Sequence, residues 1–182
     1  TDRLGTSLEE IAYEKGGIIK EGVPVISGVA PGLAERVLLE IATQLRAPWR
    51  SIYDLPWEGL GWDLAGGRLF FPGWGEIKVG LLGDHQIQNA ATALLALQEL
   101  AKLGWNLPLE VVQRGMKEVN WPGRLEVLSH EPFIILDGGH NQEGMAALVQ
   151  SLHHLQPQLG GEKFTMDPER RTLIQLTIDD AV

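Results

Sequence analysis

Residues 121–141, WPGRLEVLSHEPFIILDGGHN, set an arginine, an acid, an imidazole and an amide around one unbroken apolar run. Arg124 follows a Pro-Gly turn that could hold its guanidinium fork rigidly for a phosphate or carboxylate, although taken in isolation an ordinary surface arginine is the commoner case. The run 133–136 is bounded by turn residues and reads as a strand buried on both faces. Asp137 falls at its carboxyl end, where open α/β sheets bind ligands. There it could accept from a ribose hydroxyl, hold a metal, or cap the next helix. His140 could stack on or bond to a base, or be simply solvated, and Asn141 closes the cluster. His85, Gln86 and Asn89 open an Ala- and Leu-rich stretch, where amides can read an adenine edge but are also plain helix caps. Lys15, after Glu14, is by default a favourable charge at a helix C-terminus. Beside carboxylates in a cleft, a lysine can instead take up carbon dioxide as a carbamate and become an anionic ligand for a hard ion such as magnesium.

The elements that must position these groups follow from periodicity. Thr6-Ser7-Leu8-Glu9 resembles a capping box, and the short helix it opens stops at Gly16-Gly17. Residues 18–20 and 23–27 read as extended pieces, and a helix over 32–45 follows Pro31. This βα alternation marks a layered α/β protein. Residues 49–83 are rich in Gly and Trp. They read as a small antiparallel excursion with strands at 50–53, 69–71 and 76–82 and turns at 65–67 and 72–73. Residues 88–103 form a buried helix ended by Gly104. Pro108 stands at the first position of a helix over 109–119. Strands at 125–128 and 133–136 lead into a helix over 142–155. Residues 156–171 read as loop, and 172–178 as one more possible strand.

Bulk properties limit the function classes. The 182 residues suffice for one good core or for one domain and part of another. A net charge of −9 argues against non-specific nucleic-acid binding. The absence of cysteine excludes disulfides, thiolate zinc sites and cysteine nucleophiles. No apolar run approaches a membrane span and no signal peptide is visible, so a cytoplasmic location is the default expectation. The sequence has no G-x-x-x-x-G-K-[ST] phosphate loop, no G-x-G-x-x-G, no HExxH and no G-x-S-x-G. The residues alone therefore point to an α/β protein with a polar, anion-binding cluster.

The order of four blocks goes further. LGTSLEEIAYEKGGIIKEGVPVISG, GDHQIQNAATALLALQEL, WPGRLEVL and ILDGGHNQEGMAAL lie in that order within residues 4–150. Together they closely resemble the folylpolyglutamate synthase/dihydrofolate synthase family of Mur-ligase-like, ATP-dependent amide-forming enzymes. The resemblance implies the end of a P-loop-type ATPase domain (residues 1–83), a helical linker (84–120), and part of a Rossmann-like C-terminal domain (121–182). It implies activation of a pterin-bound carboxylate by ATP as an acyl phosphate, which the amino group of L-glutamate attacks. The acceptor would be folate or dihydropteroate, handled by a monomer with no nucleic-acid or membrane partner. Lys15 would be the carbamylated magnesium ligand. His85, Gln86 and Asn89 would lie near the nucleotide, with Arg124 on the ATP phosphates, Asp137 on the ribose, and His140 and Asn141 beside it. The family reads EKAG and DGAHN where this chain has EKGG and DGGHN, two mild Ala-to-Gly departures. The family's phosphate loop and an aspartate–histidine pair would precede residue 1. The expectation is thus an incomplete, largely inactive piece of a ligase. The alternatives are a non-catalytic nucleotide-binding module and a peptidoglycan Mur ligase, against which the EKGGIIK and WPGRLEVL wording speaks.

Overall fold

The structure, a computed structural model, describes residues 7–130, 133–140, 142–155 and 157. Its first layer is helical. Helix α1 (Leu8–Gly16) is opened by a capping box one residue later than the sequence suggested: Ser7 Oγ accepts from the Glu10 amide, and Glu10 Oε2 accepts from the Ser7 amide, each at 3.2 Å. The chain then turns over 17–22 instead of forming the extended piece expected at 18–20; the Ile19 amide bonds back to the Gly16 carbonyl at 3.0 Å. Strand β1 (Val25–Ser27), helix α2 (Leu33–Gln44) and strand β2 (Trp49–Ser51) make one parallel βαβ unit, with Val25 opposite Trp49. Ala42, Ala47 and Ile19 pack with Leu38 and Ile41 to form a small core beneath it. The strand expected over 50–53 stops early, because Ser51 Oγ accepts from the Tyr53 amide and turns Ile52–Asp54 into a single 3-10 turn.

An antiparallel meander follows: β3 (Glu58–Asp63), β4 (Gly66–Phe71) and β5 (Gly75–Val79). Leu69, Phe71, Ile77 and Val79 alternate inward, while Phe70 and Lys78 face out. Strand β3 was not expected, since two glycines and a register shift between Gly59 and Trp62 break its alternation. Gly66 and Gly67, expected in a turn, lie inside β4. A Cβ on Gly67 would stand 3.0 Å from Ile87 Cγ1, so a side chain there would push away the helix packed on the sheet.

That helix, α3 (Asp84–Lys102), organises the rest. Ile87, Ala90, Ala91, Leu94 and Leu95 fill the main core between it and the meander. Its other flank meets β1. Gln88 Nε2 donates to the Gly28 carbonyl at 2.8 Å and to the Tyr53 hydroxyl at 2.9 Å, and a Cβ on Gly28 would run into the Thr92 hydroxyl. Helix α4 (Leu109–Glu118) begins after Pro108, which is its N-cap and not its first residue. Strands β6 (Glu126–His130) and β7 (Phe133–Leu136) pair antiparallel and lead into α5 (Gln142–Leu155). Strand β7 is not buried on both faces as its apolar run suggested: Ile134 is exposed, and among the described residues β6 is its one partner. Residues 158–182, with the strand expected at 172–178, lie outside the described residues.

Candidate functional site

The first turns of α3, the turn before β6, the loop after β7 and one face of α5 enclose a cavity of about 410 Å³. It lies at the carboxyl end of β7, where an α/β layout places ligands. Five side chains singled out from the sequence line it: His85, Gln86, Asn89, Arg124 and Asp137. The first three share α3, and the last two flank the β6–β7 hairpin, Arg124 in the turn before β6 and Asp137 directly after β7.

Gln86 is buried, and its Oε1 accepts from Asn89 Nδ2 at 3.1 Å, one helical turn away. That bond sets the orientation of both amides. The Gln86 amide nitrogen has no hydrogen-bond partner among the described residues, and the Asn89 carbonyl oxygen has none either. The pair thus offers the cavity a donor beside an acceptor. Helix α3 starts at Gly83 with no side-chain cap, so its first-turn amides and the positive end of its dipole favour negative charge there.

The WPGR turn is a type II turn. The Arg124 amide donates to the Trp121 carbonyl at 3.2 Å, Pro122 takes the second position, and Gly123 supplies the positive φ of 72° required at the third. The Gly123 amide donates to Glu126 Oε2 at 2.8 Å. The Arg124 guanidinium rests 5.7 Å from the centre of the Trp121 ring, a cation–π distance. Asp137 joins this turn to the glycine loop: its Oδ2 accepts from the Leu125 amide at 2.9 Å and its Oδ1 from the Gly139 amide at 2.8 Å. The Gly138 amide adds a bond to the Gly123 carbonyl at 2.7 Å.

Two expected residues stand apart. His140 is exposed, its Nδ1 bonded to the Gly138 carbonyl at 3.0 Å, and it does not line the cavity. Lys15 is exposed in the last turn of α1 and does not line it either. Asn141 lies outside the described residues. Among the described residues, no group of three or more His, Asp and Glu side chains could hold a metal ion. Sequence reasoning passed over the wall made by Gly144, Ala147, Leu148 and Ser151 of α5. Their spacing of three, four and seven residues was the available signal, once the helix start was fixed. It also passed over the joint behind the cavity. There Trp62 stacks on His154 with ring centres 4.3 Å apart, a ring nitrogen of His154 donates to the Trp62 carbonyl at 2.9 Å, and Trp62 Nε1 donates to Asp84 at 3.1 Å.

No family model matches the chain. Individual proteins do. The dihydrofolate synthase/folylpolyglutamate synthase of Bacillus subtilis (strain 168) is 37% identical over 158 residues, covering 82% of this chain and 36% of that protein. The mitochondrial folylpolyglutamate synthase of Homo sapiens is 32% identical over 199 residues, covering 96% of this chain and 31% of that protein. A solved structure described as an FPGS–AMPPCP–folate complex superposes with a TM-score of 0.75 at 29% identity, over 85% of this chain and 39% of that one. The folylpolyglutamate synthase of Thermotoga maritima gives a TM-score of 0.72 at 30% identity, over 84% of this chain and 37% of that one. The chain therefore spans about a third of the length of these curated relatives. Its α/β architecture is that of the solved synthases over the part they share, and across most of its own length the chain is homologous to the folylpolyglutamate synthases and dihydrofolate synthases.

Proposed function

We propose that the cavity between α3 and α5 binds the adenine nucleotide of an ATP-dependent ligase that joins L-glutamate to folate or to dihydropteroate. The observation that carries this reading is the convergence of Gln86, Asn89, Arg124 and Asp137 on one cavity at a strand's carboxyl end. The donor–acceptor couple of Gln86 and Asn89 matches the N7 acceptor and N6 donor along one edge of adenine. Guanine offers two acceptors on the same edge and leaves the Asn89 oxygen unpaired. Arg124 is the cation for the phosphates, its fork suited to paired oxygens. Asp137 is near enough to the same loops to accept from a ribose hydroxyl, and His85 adds a ring at the wall. AMPPCP, an ATP analogue, in a solved relative supports ATP as the nucleotide.

In the complete reaction ATP would phosphorylate the acceptor's carboxylate, and the glutamate amine would displace phosphate from the acyl phosphate to form the amide. Within this chain, Arg124 and the α3 dipole would stabilise charge on the polyphosphate, and the amide pair would fix the base so that the phosphates run toward Arg124. Lys15 as a carbamate would be the chain's magnesium ligand. The described residues put no carboxylate or imidazole cluster around any such ion, so they do not fit a resident magnesium. Residues 1–83 would belong with a central ATP-binding unit, 84–120 with the linker and 121–182 with the C-terminal unit.

Calorimetric titration of the chain with ATP and GTP tests the reading. ATP is expected to bind and to be preferred, and Asn89→Ala to weaken ATP about tenfold with GTP little changed. Equal affinity for the two nucleotides, or no binding of ATP at millimolar concentration, would defeat it. The same titration with a peptidoglycan-precursor peptide or a folate present separates the two ligase classes.

A further inference from the structure

We propose that Ser151 is a specificity-determining residue of the cavity, whose hydroxyl oxygen accepts from the exocyclic amine of a 6-aminopurine and so selects adenine over 6-oxopurines. The inference rests on the nucleotide reading above and extends its base recognition to the opposite wall. Helix α5 gives the cavity Gly144, Ala147, Leu148 and Ser151, spaced three, four and seven residues apart on one face. Ser151 is the one polar side chain among the four, and the residue is 4% exposed. A hydroxyl can donate or accept, and the partner of its proton decides which role is left. Ser151 Oγ donates to the Ala147 carbonyl one turn back at 2.8 Å, so its proton is engaged within the helix and its lone pairs remain for the cavity.

Its place along α5 is the base end of the site. In the first turn of the helix, Gly144 lies against the glycine loop: a Cβ on Gly139 would stand 3.3 Å from the Gly144 carbonyl carbon and 2.8 Å from Asp137 Oδ1. The acid read as the ribose contact is therefore beside the start of α5. Ser151 comes seven residues after Gly144, roughly 10 Å along the axis. That span is comparable to the one from a ribose hydroxyl to the far edge of its base. At this level α5 meets the start of α3: a Cβ on Gly83 would stand 3.6 Å from Ser151 Oγ and 3.0 Å from His85 Nδ1. The turn that follows carries Gln86 and Asn89, which line the same cavity. A 6-amino group has two hydrogens to place. Asn89 Oδ1 takes one and Ser151 Oγ takes the other. A 6-oxo group instead sets a carbonyl against two acceptors and leaves them without a donor.

The test titrates ATP, inosine triphosphate and purine riboside triphosphate into wild type and Ser151→Ala. The second nucleotide has a carbonyl in place of the amine, and the third has only hydrogen at that carbon. Alanine is the best helix former, so the variant keeps α5. Wild type is expected to bind ATP tightest and inosine triphosphate weakest. Ser151→Ala is expected to weaken ATP about fivefold, the worth of one neutral hydrogen bond, and to weaken neither of the other two. Equal weakening of all three would make Ser151 a structural residue and overturn the proposal. Selective weakening of inosine triphosphate would show the hydroxyl donating, and would overturn it as well. The nucleotide reading fails by a different result. If wild type binds none of the three at millimolar concentration, that reading falls and this inference falls with it. If wild type prefers ATP and Ser151→Ala keeps the whole of that preference, the inference alone falls.

Discussion

Gln86 and Asn89 owe their value to each other. Without the Asn89 side chain the Gln86 oxygen is buried with no donor, and the amide is free to flip. Asn89→Ala is therefore expected to cost about 1 kcal/mol of stability in urea unfolding, and to reduce ATP-over-GTP selectivity about tenfold in competition binding. Unchanged selectivity would show that the pair does not face the base. Residue types were legible in the sequence here, because an amide pair three apart at a helix start must meet on one face. The partners of Asp137 were not. Its bond to Leu125 crosses 12 residues and depends on the pairing of β6 with β7, which no local spacing encodes. Lys15 shows the reverse: the block around it is distinctive, yet the described residues give its side chain no site.

Elements were legible where one period dominates. Helices α2 and α3 and strand β7 were read within a few residues of their bounds because their apolar spacing is unambiguous. Strand β3 and the start of β4 were missed because their glycines read as turns, whereas Gly59 and Gly67 lie against Ile87 of α3 and Gly61 and Gly66 take a positive φ within the strands. Two element-scale outcomes follow. Ser7→Ala removes one half of the α1 capping box and is expected to cost about 1 kcal/mol, seen as a lower melting temperature; no change would mean α1 is held by its packing on α2 alone. Gly28→Ala forces a methyl against the Thr92 hydroxyl and is expected to cost roughly 1–3 kcal/mol. Thr92→Ala should recover much of that loss, and a double-mutant cycle with no coupling would place the strain elsewhere.

At the scale of the whole molecule, α3 is the shared wall. One flank carries the parallel unit through Gln88, another the meander through Ile87 and Leu94, and its start closes the cavity with α5. That arrangement explains why blocks far apart in sequence could signal one site before any contact was known. It also limits the chemistry. The 182 residues contain no phosphate loop, so this polypeptide alone is expected to bind ATP yet to incorporate no labelled glutamate into folate. Measurable incorporation would require a phosphate site within the residues at hand.

The Trp62–His154 joint has a consequence for the order in which the chain folds. It ties residues 92 apart, whereas the meander and the β6–β7 hairpin are each built from near neighbours. Closing a loop of that length costs on the order of 4 kcal/mol of chain entropy. The local units should therefore form first and α5 dock last. The helix that completes the cavity would also be the first to leave it, opening and closing while the rest of the molecule stays folded.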